Sequence, residues 1–251
     1  MSRPTNIQQV LNELDTIIDV SINSNSRMGL FAYIYRRTTA EIASEIILGN
    51  FENNQRLEIL DVAFANLYLD AYKAYQNNQK LSASWNFAFN QTDEPLTIIQ
   101  HIILGMNAHI NLDLAIATAS VMSNEDIKDI ENDFNKVNDI LFQITNELQD
   151  RLSRVSPLLF ILDWIGKNKD EQMIDFSMRK AREQSWNSAN LLWSLGESHS
   201  ENSKNSIDQI VLELSERIAA PKSRIIRFFL KFIQKFETKE VNRIISKLKA
   251  V

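Results

Sequence analysis

The chain has 251 residues with 27 Lys and Arg against 32 Asp and Glu, a net charge of −5, and no cysteine. That length buries a full core, with one large domain as the leading reading. The missing thiols exclude disulfides, thiolate metal sites and cysteine nucleophiles. The stretch MSRPTNIQQVLNELD turns polar and acidic early, and the apolar runs are read as shorter than the roughly 18 to 20 residues that cross a bilayer. The expectation is a soluble cytoplasmic protein.

Only 5 glycines and 4 prolines interrupt the chain. Apolar residues recur at three- and four-residue spacing far more often than they alternate, which predicts an all-α, single-domain multi-helix bundle of about 9 to 10 helices. In chain order, helices are expected near 5–20, 29–48, 55–77, 94–121, 124–153, 157–165, 170–195, 206–219, 222–237 and 239–249. Thr5 and Ser123 read as N-caps, the second with Asp126 three residues on, as in a capping box. No internal repeat points to a solenoid. The small, polar run GESHSENSKNS, Gly196 to Ser206, reads as a linker. Residues 1–220 are expected to form the main helical domain, with 221–251 as basic amphipathic helices packed on it.

The stretch QHIILGMNAHINLDLAIA, Gln100 to Ala117, threads polar residues through an otherwise apolar helix. A helical residue advances about 100°, so His101, Gly105, His109 and Asp113 share one face. His109 and Asp113, at i and i+4, can converge on one metal ion or one ligand. Gly105 costs about 1 kcal/mol relative to alanine in mid-helix, so the space it leaves serves a ligand or a closely packed neighbour. Asn107 and Asn111 can bond a ligand, buried backbone or a facing helix. Three readings stay open: a satisfied structural pair, a metal or catalytic site, and an organic ligand held without metal.

Upstream, LDVAFANLYLDAY, Leu60 to Tyr72, sets Asp61, Asn66, Tyr68 and Asp70 among aromatic and aliphatic residues. Downstream, NDFNKVNDIL carries Asp133 and Asn138, and AREQSWNSA supplies Arg182 and Trp186 at i and i+4. Buried amides without partners cost roughly 1 to 3 kcal/mol, so these groups should meet each other or a ligand. Together the segments LDVAFANLYLDA, HIILGMNAHINLDL, DFNKVNDIL and AREQSWNSA resemble successive signatures of an uncharacterised bacterial family, a domain of unknown function whose hallmark is an N-A-H-I-N-x-D-L helix. The likeness runs from about Arg27 to Leu195. It implies a helical fold and the importance of these residues without supplying a reaction. A weaker likeness is to helical zinc phosphoesterases of the phospholipase C and P1 nuclease type, in which an aspartate occupies the position of Gly105.

Phosphate-cradling glycine loops, a nucleophile elbow and the H-E-x-x-H helix are all missing from the sequence. So are the D-D-x-x-D and E-x-x-H pairs of helical metalloenzymes. His199, in the polar linker, is expected to face solvent.

The last stretch, Pro221 to Val251, holds nine of the Lys and Arg but only Glu237 and Glu240 as acids, a charge of +7 that leaves −12 on residues 1–220. In SRIIRFFLKFIQKF the wheel places Ile225, Phe228, Phe229, Phe232, Ile233 and Phe236 on one broad face and Arg224, Arg227, Lys231 and Lys235 on the other. Phe228, Phe232 and Phe236 are expected to be core residues. Docking on an anionic membrane is the alternative. Nucleic acid is not expected as a partner, given the acidic chain.

Two function classes follow. The first is an enzyme, a metal-dependent hydrolase or a His-Asp acid/base catalyst. Its catalytic residues are His109, Asp113 and His101, and its ligand contacts are Asn107, Asn111, Gly105, Asn66, Tyr68, Arg182 and Trp186. A divalent metal, if bound, would sit on His109, Asp113, His101 and Asp61. The second is a non-enzymatic binding protein for a lipid or isoprenoid-like apolar ligand, peripheral at a membrane.

Overall fold

A computed structural model describes residues 3–156 and 178–249. Among these the chain is helical, with α1 Ile7–Ser24, α2 Met28–Ile47, α3 Asn54–Gln76, α4 Ala83–Asn90, α5 Ile98–Val121 and α6 Glu131–Val155. Then come α7 Met178–Leu195, α8 Glu201–Ala219, α9 Arg224–Phe236 and α10 Val241–Lys249. Single 3-10 turns at Ile127–Ile130 and Glu197–His199 complete the described elements.

The all-α expectation holds, and several boundaries shift for local reasons. Helix α1 is capped by Asn6, not Thr5, through its side chain on the Gln9 amide. The expected helix at 94–121 starts later, because Thr97 and Gln100 form a reciprocal capping box. Ser123 does not open a helix; Asp126 caps the 3-10 turn and α6 follows it. The short α4, capped by Ser82, has no counterpart in the sequence reading. The linker contracts to Gly196, with φ 71°, and one 3-10 turn. The expected helix at 157–165 and the first residues of the one at 170–195 lie outside the described residues.

Helix α5 runs through the middle, bordered by α2, α3, α4, α7 and α8. Its length and composition are sufficient to cross a membrane, which corrects the reading that the chain holds no such run, yet most of its surface is buried against these neighbours. A core helix satisfies the same test of length and apolarity as a spanning one.

Carboxylates from one helix satisfy the amides that open another. Asp133 on α6 accepts from the Glu52 and Asn53 amides at 2.7 and 2.9 Å, ahead of α3. Asp208 on α8 accepts from Ala83 and Ser84 at 2.6 and 3.0 Å, at the start of α4. Glu237 accepts from the Ile98 amide at 2.8 Å, at the start of α5. Helix N-termini leave four amides unpaired and carry positive partial charge, so an anion from a neighbouring helix locks both elements in register.

The C-terminal expectation divides in two. Helix α10 is core: Val241, Ile244, Ile245 and Leu248 are fully buried against α1, α2 and α6. In α9 it is Ile226, Leu230 and Ile233 that face inward. Phe228, Phe232 and Phe236, expected in the core, are 64%, 39% and 61% exposed, and Ile225 is 55% exposed. The apolar arc is wider than the surface it covers, and the half carrying these phenylalanines turns outward. Ile244→Ala should therefore cost about 2 to 5 kcal/mol in a urea melt. Phe228→Ser should stay within about 0.5 kcal/mol of the wild type.

Candidate functional site

In the middle of α5 the backbone widens to a π-turn over His109–Asp113, where the Leu114 amide bonds the His109 carbonyl five residues back. Such turns insert one residue into a helix and gather at functional positions. Here the turn accompanies a side-chain bond: His109 Nδ1 lies 2.9 Å from Asp113 Oδ2. The same oxygen accepts the indole N–H of Trp85 on α4 at 2.9 Å. The pair predicted from spacing is thus present, with a third member that the sequence reading missed.

Five aromatic rings surround the imidazole. Phe64 stacks on it at 3.6 Å between centroids with planes 7° apart, and Tyr35 meets it edge-on at 4.4 Å. Phe31, Tyr68 and Trp85 close the remaining sides at 5.7, 5.8 and 6.1 Å. Four of the five walls are buried, and only Phe64 reaches the surface in part. The box has a sequence signal in hindsight: Phe31 with Tyr35, Phe64 with Tyr68 and Trp85 with Phe89 are i, i+4 aromatic pairs on three successive helices.

Burial drives the His109 pKa well below its ordinary value and the Asp113 carboxyl well above its own, the latter opposed by the bond from Trp85. Desolvation thus favours the uncharged form of each. With the proton on Nδ1, the imidazole donates to Asp113 and leaves Nε2 as a bare acceptor. Among the described residues Nε2 is buried with no hydrogen-bond partner, as are the Tyr68 hydroxyl, Asn66 Oδ1 and Asp61 Oδ2.

Asp61 also lies in this interior. Burial raises its pKa to about 7, against the pull of the Arg182 guanidinium and with a push from Glu58. Arg182 is itself buried and lowered to about 10 by desolvation, with Asp61 opposing. It is held by donating to Asn138 Oδ1 and to the Phe134 carbonyl, and its guanidinium lies 4.4 Å from the Phe134 ring centroid. Trp186 packs on the same ring at 4.9 Å between centroids, which makes Arg182 and Trp186 part of the α6–α7 packing.

The remaining candidates do not join the box. His101 is bonded to Arg27, whose Nη1 lies 2.9 Å from His101 Nε2 and 2.7 Å from the Leu96 carbonyl. Burial, with the Arg27 charge, lowers the His101 pKa to about 3. It is a neutral acceptor that anchors the start of α2 to the segment before α5. Gly105 does not make room for a ligand: a Cβ there would come within 2.4 Å of Phe31 Cγ. Asn107 donates to the Val211 carbonyl and the Ser215 hydroxyl of α8, both at 2.9 Å, and accepts from Asn111 at 3.0 Å. These two asparagines join α5 to α8. Asn66 donates to the Pro4 carbonyl at 3.0 Å, and Asp70 pairs with Arg3. Among the described residues no three His, Asp or Glu converge as metal ligands; His101 is tied instead to Arg27.

A groove of about 550 Å³ lies beside this interior, bordered by Asn6, Glu58 and Ile59, with Val62, Asn66 and Ile116 along its length. Asn66, with its unpaired Oδ1, is the candidate residue that lines it.

These features define an all-α bundle with a buried, aromatic-walled His-Asp pair on its central helix. The chain belongs to a family of unknown function (DUF5995), whose model matches residues 7–221, wider than the likeness seen in the four motifs. No curated protein and no solved structure matches it. Helices α9 and α10 follow the matched stretch.

Two measurements probe this interior. Because the folded pKa of Asp61 lies above its unfolded value of 3.8, ionisation costs stability progressively from about pH 4 to 7 and fully above that. Asp61→Asn should raise the melting temperature at pH 8 and change it little at pH 4. Gly105→Ala should destabilise by about 1 to 3 kcal/mol despite its better helix propensity, since the Phe31 ring stem has to shift.

Proposed function

We propose that the chain acts through His109 as a proton acceptor for a small, planar, largely apolar ligand, without a resident metal. The observation that carries this reading is the unpartnered Nε2 of an imidazole whose other nitrogen is bonded to Asp113, behind the partly exposed Phe64. A general base needs these things: a fixed ring, a free nitrogen in the neutral form, and surroundings that exclude water. Asp113 and Trp85 supply the first, and burial supplies the others. A base that titrates far below neutrality is weak at rest, so its strength is expected to rise when a ligand brings a polar group to Nε2. Access is assigned to Phe64, the one of the five walls that is partly exposed.

The groove beside α3 supports a second reading, a binding site for an amphipathic molecule. Its volume suits a small organic ligand, and Asn66 lines its wall. In that case the His109 box is part of the core.

Histidine modification by diethylpyrocarbonate separates the two. In Phe64→Ala, His109 should react at least tenfold faster than in wild type, with exposed His199 as the internal standard. Native mass spectrometry of untagged protein should then show an organic adduct that His109→Phe lacks. If His109→Phe is as stable as wild type and keeps the same adduct, His109 is a core side chain and the groove reading stands.

A further inference from the structure

We infer that α9 is a membrane-docking helix whose partner is the surface of an anionic lipid bilayer. Ile225, Phe228, Phe232 and Phe236 follow one another at three- and four-residue spacing and form a continuous exposed apolar stripe. Beside it run Arg224, Lys231 and Lys235, all exposed. On a helical wheel the stripe spans about 80° and these cations begin within about 20° of its edge. The opposite side of the same helix is taken: Ile226, Leu230 and Ile233 face the protein. The helix therefore lies along the protein surface and presents a second apolar face outward.

Charge decides what covers that face. Helix α9 contains no acidic residue, and Glu237, the first acid after it, is buried on the α5 N-terminus and on the Ser156 hydroxyl. The stretch from Pro221 carries +7 while the rest of the chain carries −12, so the cationic surface is local to this end. A second copy docking through the same stripe would bring two cationic rows together. Anionic headgroups would instead accept the lysine and arginine heads while their stems and the phenylalanines enter the acyl boundary. Three exposed aromatic rings in a line fit a planar and chemically uniform partner better than a shaped protein groove.

The full chain is tested with vesicles of phosphatidylcholine alone and with about 30% phosphatidylglycerol, at salt raised from about 0.1 to 0.5 M to screen surface charge. Wild type should float with the anionic vesicles, weakly with the neutral ones, and lose most of its binding at the higher salt. The triple variant Phe228→Ser, Phe232→Ser, Phe236→Ser should keep its melting temperature, because these side chains are exposed, and lose binding at least tenfold. A second triple variant, Arg224→Glu, Lys231→Glu, Lys235→Glu, keeps the stripe and should lose the preference for anionic lipid. The inference is overturned if wild type ignores anionic vesicles, if it binds both vesicle types equally, or if either variant binds like wild type. Loss of vesicle binding together with a dimer that the serine variant dissolves assigns the stripe to self-association and overturns it as well.

Discussion

The interior depends on one constraint, the burial of a histidine and an aspartate inside an apolar helix. An unpaired buried polar group costs a few kcal/mol and an unpaired buried charge much more. The pair at His109 and Asp113 meets that cost by bonding to itself and to the Trp85 indole. Much else follows from it. The π-turn occupies the same five residues, α4 is short and placed to bring Trp85 to Asp113, and α2 and α3 present aromatic edges and faces to the imidazole. Gly105, one turn earlier, lets the Phe31 ring come close enough to complete the enclosure. What the arrangement leaves unsatisfied among the described residues includes the ring nitrogen Nε2 and the Tyr68 hydroxyl of the same enclosure, and buried orphans of that kind call for a function or a cost.

The same economy governs how helices meet. Asp133, Asp208 and Glu237 each leave their own helix to bind the amides at the start of another. Asn107 reaches the α8 backbone, Gln100 donates to the carbonyls of Ile218 and Ala219 at the end of α8, and Arg27 reaches Leu96. Several buried polar side chains in this bundle, Asn66, Gln100, Asn107, Asp133, Asp208 and Glu237 among them, serve backbone groups of distant segments. That explains why so many Asn, Asp and Gln residues interrupt its apolar faces without forming one site.

This also marks where sequence reading stops. Helical class was legible because apolar periodicity is a local property, and the His109–Asp113 pairing was legible because i and i+4 side chains meet on any helix turn. The destinations of His101, Asn107 and Asp133 were not, since their partners Arg27, Val211 and Glu52 lie about 70 to 105 residues away in the chain. Trp85 was missed because it sits on an eight-residue helix too short to show a period. Gly105 shows the intermediate case: its sequence position demands space, but only the structure shows that Phe31 fills it. For α9 the wheel identified the apolar arc correctly and could not divide it. Amphipathicity states that a face is apolar; which half of the face the protein covers is decided by elements elsewhere.

Glu237 connects this outer helix to the inner one. It follows Phe236 directly, and its carboxylate holds the first amide of α5 and the Ser156 hydroxyl in a buried site. Burial raises its pKa, while those two bonds and the nearby Arg27 charge lower it. Arg27 in turn is bonded to His101, two turns before His109 on α5. The last residue of the exposed stripe is therefore one peptide bond from the cap of the central helix. Beyond it, α10 is sealed by its four buried aliphatic residues and by Tyr33, whose hydroxyl donates to the Leu248 carbonyl at 3.0 Å. Helix α9 is thus held at its C-terminal end by a cap that cannot be broken cheaply, while its phenylalanine face stays exposed among the described residues. A surface that exposed, on an element that firmly anchored, is presented by the fold instead of being left over from it.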